Sequence, residues 1–144
     1  MEVQMELREM QLVEDPLSTQ VIVLGEVNGE RAFPIFIGQY EAVQLDMALH
    51  KQPYPRPLTH DLVLNTIESM GGKLNRVIVD DLRPTGPSGG TFFGKLAVTL
   101  ANGEEVLVDT RPSDAIVLAT KAGVPIFVED GVLAQVCRES DEAE

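Results

Sequence analysis

The alternation of hydrophobic and polar positions along the chain predicts several β-hairpins. Val3, Met5 and Leu7 alternate with polar residues, which is typical of a half-buried strand. Asn-Gly pairs at 28–29 and 102–103 are typical of tight hairpin turns, because both residue types tolerate a positive φ. We therefore predict strands over 2–13, 21–24, 32–37, 73–82, 91–100 and 105–109.

Helical spacing of apolar residues predicts three helices among these strands, over 39–50, 59–70 and 112–123. Thr59 is the expected N-cap of the second helix. Hairpins mixed with helices favour an α+β fold. We expect a single domain in which a mixed, largely antiparallel sheet of hairpins is packed by about three helices. Pro34 lacks an N–H donor, so its strand is expected at a sheet edge or a bulge.

The charge of the chain bears on the kinds of ligand that it is expected to bind. The 144 residues carry a net charge of −12, with 23 acidic residues against 11 lysines and arginines. Proteins that grip nucleic acid through its phosphates usually display a basic stripe, so tight non-specific binding of nucleic acid is not expected. Four of the last six residues are acidic, and we predict a domain over 1–138 followed by an acidic tail over 139–144.

The sequence also gives an expectation about location. The first residues are acidic, unlike the basic start of a signal peptide, and no apolar run approaches the 18 or so residues of a membrane span. The single cysteine, Cys137, excludes an internal disulfide. We therefore expect a cytoplasmic protein with no membrane association. The glycine-rich segment 86–90 is expected to be a long hairpin connection or a mobile flap.

The most informative polar segment is Asp109-Thr110-Arg111-Pro112-Ser113-Asp114, at a predicted strand-to-helix junction. Such junctions expose polar groups above a rigid sheet. Two carboxylates that flank an arginine are able to hold a divalent cation while the guanidinium binds a phosphate oxygen. The same spacing also allows an internal ion pair between Arg111 and either aspartate, with Ser113 as the helix N-cap. Both interpretations stay open at this point.

Two further segments carry candidate chemistry. Glu41 lies in the first turn of the first predicted helix, where a carboxylate also complements the helix dipole. Arg56, His60 and Asp61 lie around the start of the second helix. His60 is the more specific signal among them because the chain has only 2 histidines.

These motifs, in this order, resemble the bifunctional nuclease family, which was long catalogued as a bacterial domain of unknown function and has plant relatives. The resemblance covers roughly 5–135, and its most specific motif is Arg-Pro-Ser-Asp-Ala at 111–115. The motifs are Pro34-Ile35-Phe36-Ile37-Gly38, Glu41-Ala42, Arg56-Pro57, Thr59-His60-Asp61-Leu62 and Asp109-Thr110-Arg111-Pro112-Ser113-Asp114-Ala115-Ile116. The resemblance implies an α+β fold, a homodimer or larger homo-oligomer, and the hydrolysis of RNA and DNA for which the family is named.

Two hypotheses follow from the residues and the resemblance. Under the first, the chain is a nuclease that uses Mg²⁺ or Mn²⁺ and acts on RNA, DNA or nucleotides. Its metal ligands would be Glu41, Asp109 and Asp114, its substrate-binding residues Arg56, Arg111 and Ser113, and its catalytic residues His60, Asp61 and Asp114. Under the second, it is a non-enzymatic oligomeric module that binds a protein partner or a small effector. Carboxylates clustered in an open pocket favour the enzyme, and carboxylates each saturated by an arginine or a backbone N–H favour the module.

Overall fold

The computed structural model of the protein describes residues 1–11, 20–51, 55–84 and 90–143, with side chains as far as Cys137. The described residues form seven strands and four helices. The strands are β1 (Glu2–Gln11), β2 (Gln20–Glu26), β3 (Ala32–Ile37), β4 (Lys73–Pro84), β5 (Gly90–Thr99), β6 (Glu105–Thr110) and β7 (Ile126–Glu129). The helices are α1 (Gln39–Leu49), α2 (Thr59–Ser69), α3 (Pro112–Ala122) and α4 (Asp130–Ala143).

All seven strands form one sheet in the order β3-β2-β1-β7-β4-β5-β6. The β4–β7 pair is parallel and the other neighbouring pairs are antiparallel. The predicted α+β fold with a mixed, largely antiparallel sheet is confirmed. Both predicted hairpins form, as β2–β3 and β5–β6, although of the four Asn-Gly residues only Gly103 has the positive φ expected of these turns. Pro34 lies on the edge strand β3.

The sheet curls strongly around its helical face. The rings of Phe33 on β3 and Phe92 on β5 are 5.7 Å apart, although four strands separate β3 from β5 in the sheet order. Helix α3 fills the concave side and packs against α1, α2, β4 and β5. Its residues from Ala115 to Ala119 are all buried in the core. Because α3 is enclosed in this way, its first turn is held in a fixed position against α1 and α2.

Two elements near the C-terminus were not predicted from the sequence. Strand β7 is inserted between β1 and β4, in the middle of the sheet. Its burial alternates, but the strand spans only four residues, which are too few for the sequence pattern to mark a strand. Helix α4 places Val132 and Leu133 in the core, and its backbone runs through most of the segment predicted to be an acidic tail. The glycine-rich segment predicted as a long hairpin connection or a mobile flap lies outside the described residues, except for Gly90, which begins β5.

The predicted helix boundaries hold with one correction. The N-cap of α2 is Leu58, so the prediction that Thr59 caps this helix is wrong by one residue. The first orphan N–H is satisfied from inside the helix instead, because the Leu58 N–H donates to Asp61 Oδ2 at 3.0 Å. Helix α3 begins at Pro112 and ends at Ala122, and its C-cap is Gly123, whose φ of +70° is the left-handed conformation that glycine adopts readily.

Candidate functional site

The start of α3 brings three distant segments of the chain together around Asp114. β6 ends at Thr110, and Arg111 is the extended N-cap of α3. The Asp114 Oδ1 atom accepts hydrogen bonds from His60 Nε2 at 2.9 Å and from Arg111 Nη2 at 3.1 Å. Its Oδ2 atom accepts one from Arg111 Nε at 2.7 Å. The carboxylate therefore links α2 to the junction between β6 and α3.

Glu41, in the first turn of α1, completes the arrangement. Its Oε1 atom accepts a hydrogen bond from Arg111 Nη2 at 2.7 Å. Its second oxygen lies against Gly38, where a Cβ atom would collide with it, so glycine at the N-cap of α1 makes room for this carboxylate. We refer to Glu41, His60, Arg111 and Asp114 as the Arg111 cluster.

The side chains of the Arg111 cluster differ in solvent exposure, from buried His60 to exposed Arg111. The His60 side chain is only 8% exposed, the two carboxylates are mostly buried, and the Arg111 side chain is 66% exposed. In the described part of the chain, the hydrogen bonds of Arg111 use Nε and Nη2 and leave Nη1 without a partner. The guanidinium is thus held on one side and open to a ligand on the other.

The protonation of this cluster follows from its geometry. Burial acts to raise the pKa of Asp114, but the hydrogen bonds from Arg111 and His60 outweigh it, so the pKa lies below its usual range. The two carboxylates raise the pKa of Arg111 above its already high value. Asp114 is therefore ionised and accepts hydrogen bonds only, which assigns the proton to Nε2 of His60. His60 Nδ1 is buried, with no partner among the described residues.

Asp61 and Asp109 lie outside the Arg111 cluster. Asp61 accepts two hydrogen bonds: its Oδ2 atom accepts one from the Leu58 N–H, and its Oδ1 atom accepts one from Lys121 Nζ at 3.1 Å. Asp109 is opposite Lys95 on the neighbouring strand, with an ion-pair distance of 3.3 Å, and its side chain is 76% exposed. The structure thus separates two of the predicted site residues from Asp114.

Arg56 and Ser113 lie at the margins of the cluster. Arg56 is exposed in the segment that precedes α2 and has no ion pair within the described ranges. Ser113 is half-buried as the second residue of α3. The N-cap of α3 is Arg111, without a side-chain cap, so the interpretation in which Ser113 caps this helix is wrong.

The positions of the carboxylates decide whether they suit a metal ion. Glu41 and Asp114 are both occupied by the guanidinium of Arg111, and Asp109 is paired with Lys95. Across the residues that the structure describes, no group of three or more His, Cys, Asp or Glu side chains is arranged for a metal. The donor set as placed does not fit the three-carboxylate site expected from the sequence, and we derive no chemical step through a metal ion.

A second polar feature lies where α2 faces the end of α3. A cavity of about 350 Å³ opens between α2, the end of α3 and the start of β4. Its lining contains the charged residues Lys73, Lys121, Asp61 and Glu68 together with apolar residues such as Leu74. Lys121 was not predicted from the sequence as a functional residue. The available signal was its position seven residues after Asp114 on the same helix, which places both side chains on related faces.

The chain is an α+β domain with one curled sheet, and residues from three separate sequence motifs meet at the Arg111 cluster. A family model described as the bifunctional nuclease domain matches residues 22–141, and the chain belongs to that family. Two Mycobacterium tuberculosis proteins are similar to it: Uncharacterized protein MT1877 (strain CDC 1551 / Oshkosh) and Uncharacterized protein Rv1829 (strain ATCC 25618 / H37Rv). Each is 40% identical over 134 residues, which cover 90% of this chain and 76% of the relative.

A membrane span is not found among the described helices, since none of them is both long and apolar enough to cross a bilayer.

Proposed function

We propose that the chain hydrolyses phosphodiester bonds in RNA and DNA at the Arg111 cluster. The observation that carries this proposal is the orientation of Arg111: two of its nitrogens are held by carboxylates, its side chain is mostly exposed, and Nη1 has no partner among the described residues. A planar guanidinium that is already oriented binds a phosphate oxygen at a lower entropic cost than a free side chain. Family membership supports the same reaction class.

The proposed division of work within the cluster follows from contacts and exposure. Arg111 binds a non-bridging phosphate oxygen and stabilises the negative charge that develops on it. Glu41 is the proposed proton acceptor, because within the described ranges its Oε2 atom has no hydrogen-bond donor. It takes a proton from the water that attacks phosphorus and returns it to the leaving oxygen as the P–O bond to that oxygen breaks. His60 keeps Asp114 in place, since its Nε2 atom is committed to that carboxylate and its Nδ1 atom is buried. Arg56 is proposed as a further contact to the substrate.

Charge favours a small substrate over a long duplex. The cluster contains two carboxylates and one guanidinium, and the whole chain has a net charge of −12. A long polyanion would be repelled at a distance, whereas a short oligonucleotide presents few phosphates. Dependence on Mg²⁺ or Mn²⁺ stays a prediction that the assay below addresses, and a cytoplasmic location likewise stays a prediction.

A second function, the non-enzymatic oligomeric module, is favoured by a specific observation. Each candidate carboxylate is engaged by a cation, a backbone N–H or both. In addition, the edge strand β6 exposes Val106, Leu107 and Val108, which supports self-association through this edge. Light scattering coupled to size-exclusion chromatography tests this: a homodimer that a charged substitution at Leu107 dissociates supports the module's assembly surface, and a monomer at all concentrations contradicts it.

The experiment that tests the nuclease is hydrolysis of single-stranded RNA and DNA oligonucleotides by purified protein, with Mg²⁺, with Mn²⁺ and with EDTA. The Asp114→Asn variant, purified identically, controls for contaminating nucleases. We expect cleavage by the wild type that the folded variant lacks. Equal cleavage by both proteins, or none by either, contradicts the proposal and favours the binding module.

A further inference from the structure

Helix α2 reaches α3 through two adjacent polar residues. His60 bonds to Asp114 in the first turn of α3, and Asp61 bonds to Lys121 in its last turn. Because neighbouring residues on a helix point about 100° apart, the two contacts fix both the rotation of α2 about its axis and its position along α3. A shift of α2 that breaks one contact therefore also disturbs the other.

These contacts matter because α2 has little apolar anchorage. His60 is the one fully buried residue of this helix, whereas α3 buries six. The apolar residues Val63, Leu64 and Ile67 are only partly buried against the core. The position of α2 consequently depends on its polar contacts more than that of α3 does.

Both oxygens of Asp61 are used. Oδ2 accepts the Leu58 N–H, which fixes the start of α2, and Oδ1 accepts Lys121, whose side chain is only 14% exposed. Burial acts to raise the pKa of Asp61, but the Leu58 N–H and Lys121 outweigh it and the pKa falls below its usual range. A partly buried, hydrogen-bonded pair of this kind holds its partners more firmly than an exposed pair.

We propose that Asp61 and Lys121 are positioning residues, which hold His60 against Asp114 and through it the guanidinium of Arg111. Asp61, expected from the sequence to be catalytic, acts through its neighbour His60 in this arrangement. The effect on hydrolysis rests on the proposed function, whereas the effect on the His60–Asp114 hydrogen bond does not.

The test compares Lys121→Met with Lys73→Met. Both substitutions remove an ammonium group that lines the same cavity, but Lys73 is exposed and without an ion pair in the described part of the chain. The first measurement is the low-field proton NMR signal of the His60 imidazole N–H, which burial and the bond to Asp114 protect from exchange. The second is hydrolysis of a single-stranded RNA oligonucleotide.

We expect Lys121→Met to broaden or abolish the imidazole signal and to lower kcat about tenfold, as small misplacements at an active site do. Lys121→Arg is expected to restore both, and Lys73→Met to change neither. An unchanged imidazole signal in folded Lys121→Met overturns the proposal. If Lys121→Met fails to fold, Asp61→Asn replaces it, and an unchanged signal in that folded variant overturns the proposal equally. Absence of hydrolysis in the wild type contradicts the proposed function, while the NMR result still decides the positioning role.

Discussion

Replacing Asp114 with asparagine removes the charge at the centre of the Arg111 cluster and keeps the size of the side chain. The carboxylate accepts two hydrogen bonds from Arg111 and one from His60. Bonds to a charged group contribute about 1.5–3 kcal/mol each when buried, but exposed ion pairs contribute only about 0.2–1 kcal/mol. Because Arg111 is 66% exposed and His60 is buried, we expect a total loss of about 2 kcal/mol.

Asp109→Asn is the matched control. It makes the same chemical change five positions earlier, in an ion pair with Lys95 whose aspartate is 76% exposed. We expect a loss of less than about 0.5 kcal/mol, as for other surface pairs. Urea denaturation followed by circular dichroism measures both variants, a suitable probe since the chain has no tryptophan. A loss of about 2 kcal/mol also predicts a fall in Tm of roughly 4–8 °C for Asp114→Asn.

The same two variants distinguish the Arg111 cluster, which excludes Asp109, from the metal site expected from the sequence, which includes it. In the proposed nuclease, Asp114→Asn abolishes hydrolysis and Asp109→Asn retains it. Loss of metal-dependent hydrolysis in folded Asp109→Asn would refute the separation of this residue from the site. Equal loss of stability in the two variants would refute the energetic reasoning, since it depends on the different burial of the two carboxylates.

Three further predictions concern charge, pH and packing. Arg111→Lys is expected to lower kcat/KM at least about tenfold, because lysine lacks the planar guanidinium that bonds to Glu41, Asp114 and a phosphate at the same time. Steady-state kinetics measures this effect, and an unchanged kcat/KM would show that Arg111 is not part of the site. The pKa of Asp114 is lowered on folding, so its contribution to stability is complete above the unfolded value of about 4 and is lost as the pH falls through the lower folded value. The difference in unfolding free energy between wild type and Asp114→Asn should therefore be the same at pH 7 and pH 5 and smaller at pH 3, since it shrinks only below about pH 4. Urea denaturation at these three pH values measures it, and a difference that is already smaller at pH 5 than at pH 7 contradicts the prediction. Leu133→Ala should cost about 2–5 kcal/mol by urea denaturation, because this α4 side chain is fully buried, and a loss below about 1 kcal/mol would show that α4 is not part of the core.

Much of the fold was predictable because its signals are local. The Asn-Gly turns, the edge position of Pro34 and the limits of α3 between Pro112 and Gly123 depend on the backbone preferences of a few adjacent residues. Strand β7 was missed because four residues are too few to establish an alternating pattern and no hairpin turn adjoins the strand. Its place between β1 and β4 depends on pairing with strands far away in the sequence.

The candidate site shows the same division. The sequence by itself determined the motif residues, the family resemblance and the acidic balance of the chain, since these need only residue types and their order. Only the tertiary structure decided that Glu41 and His60 meet Arg111 and Asp114, while Asp61 meets Lys121. These partners are separated by as many as 70 positions, and their contact depends on how α1, α2 and α3 pack inside the curled sheet. Spacing along the chain does not specify that packing, because it results from the burial of apolar side chains throughout the domain.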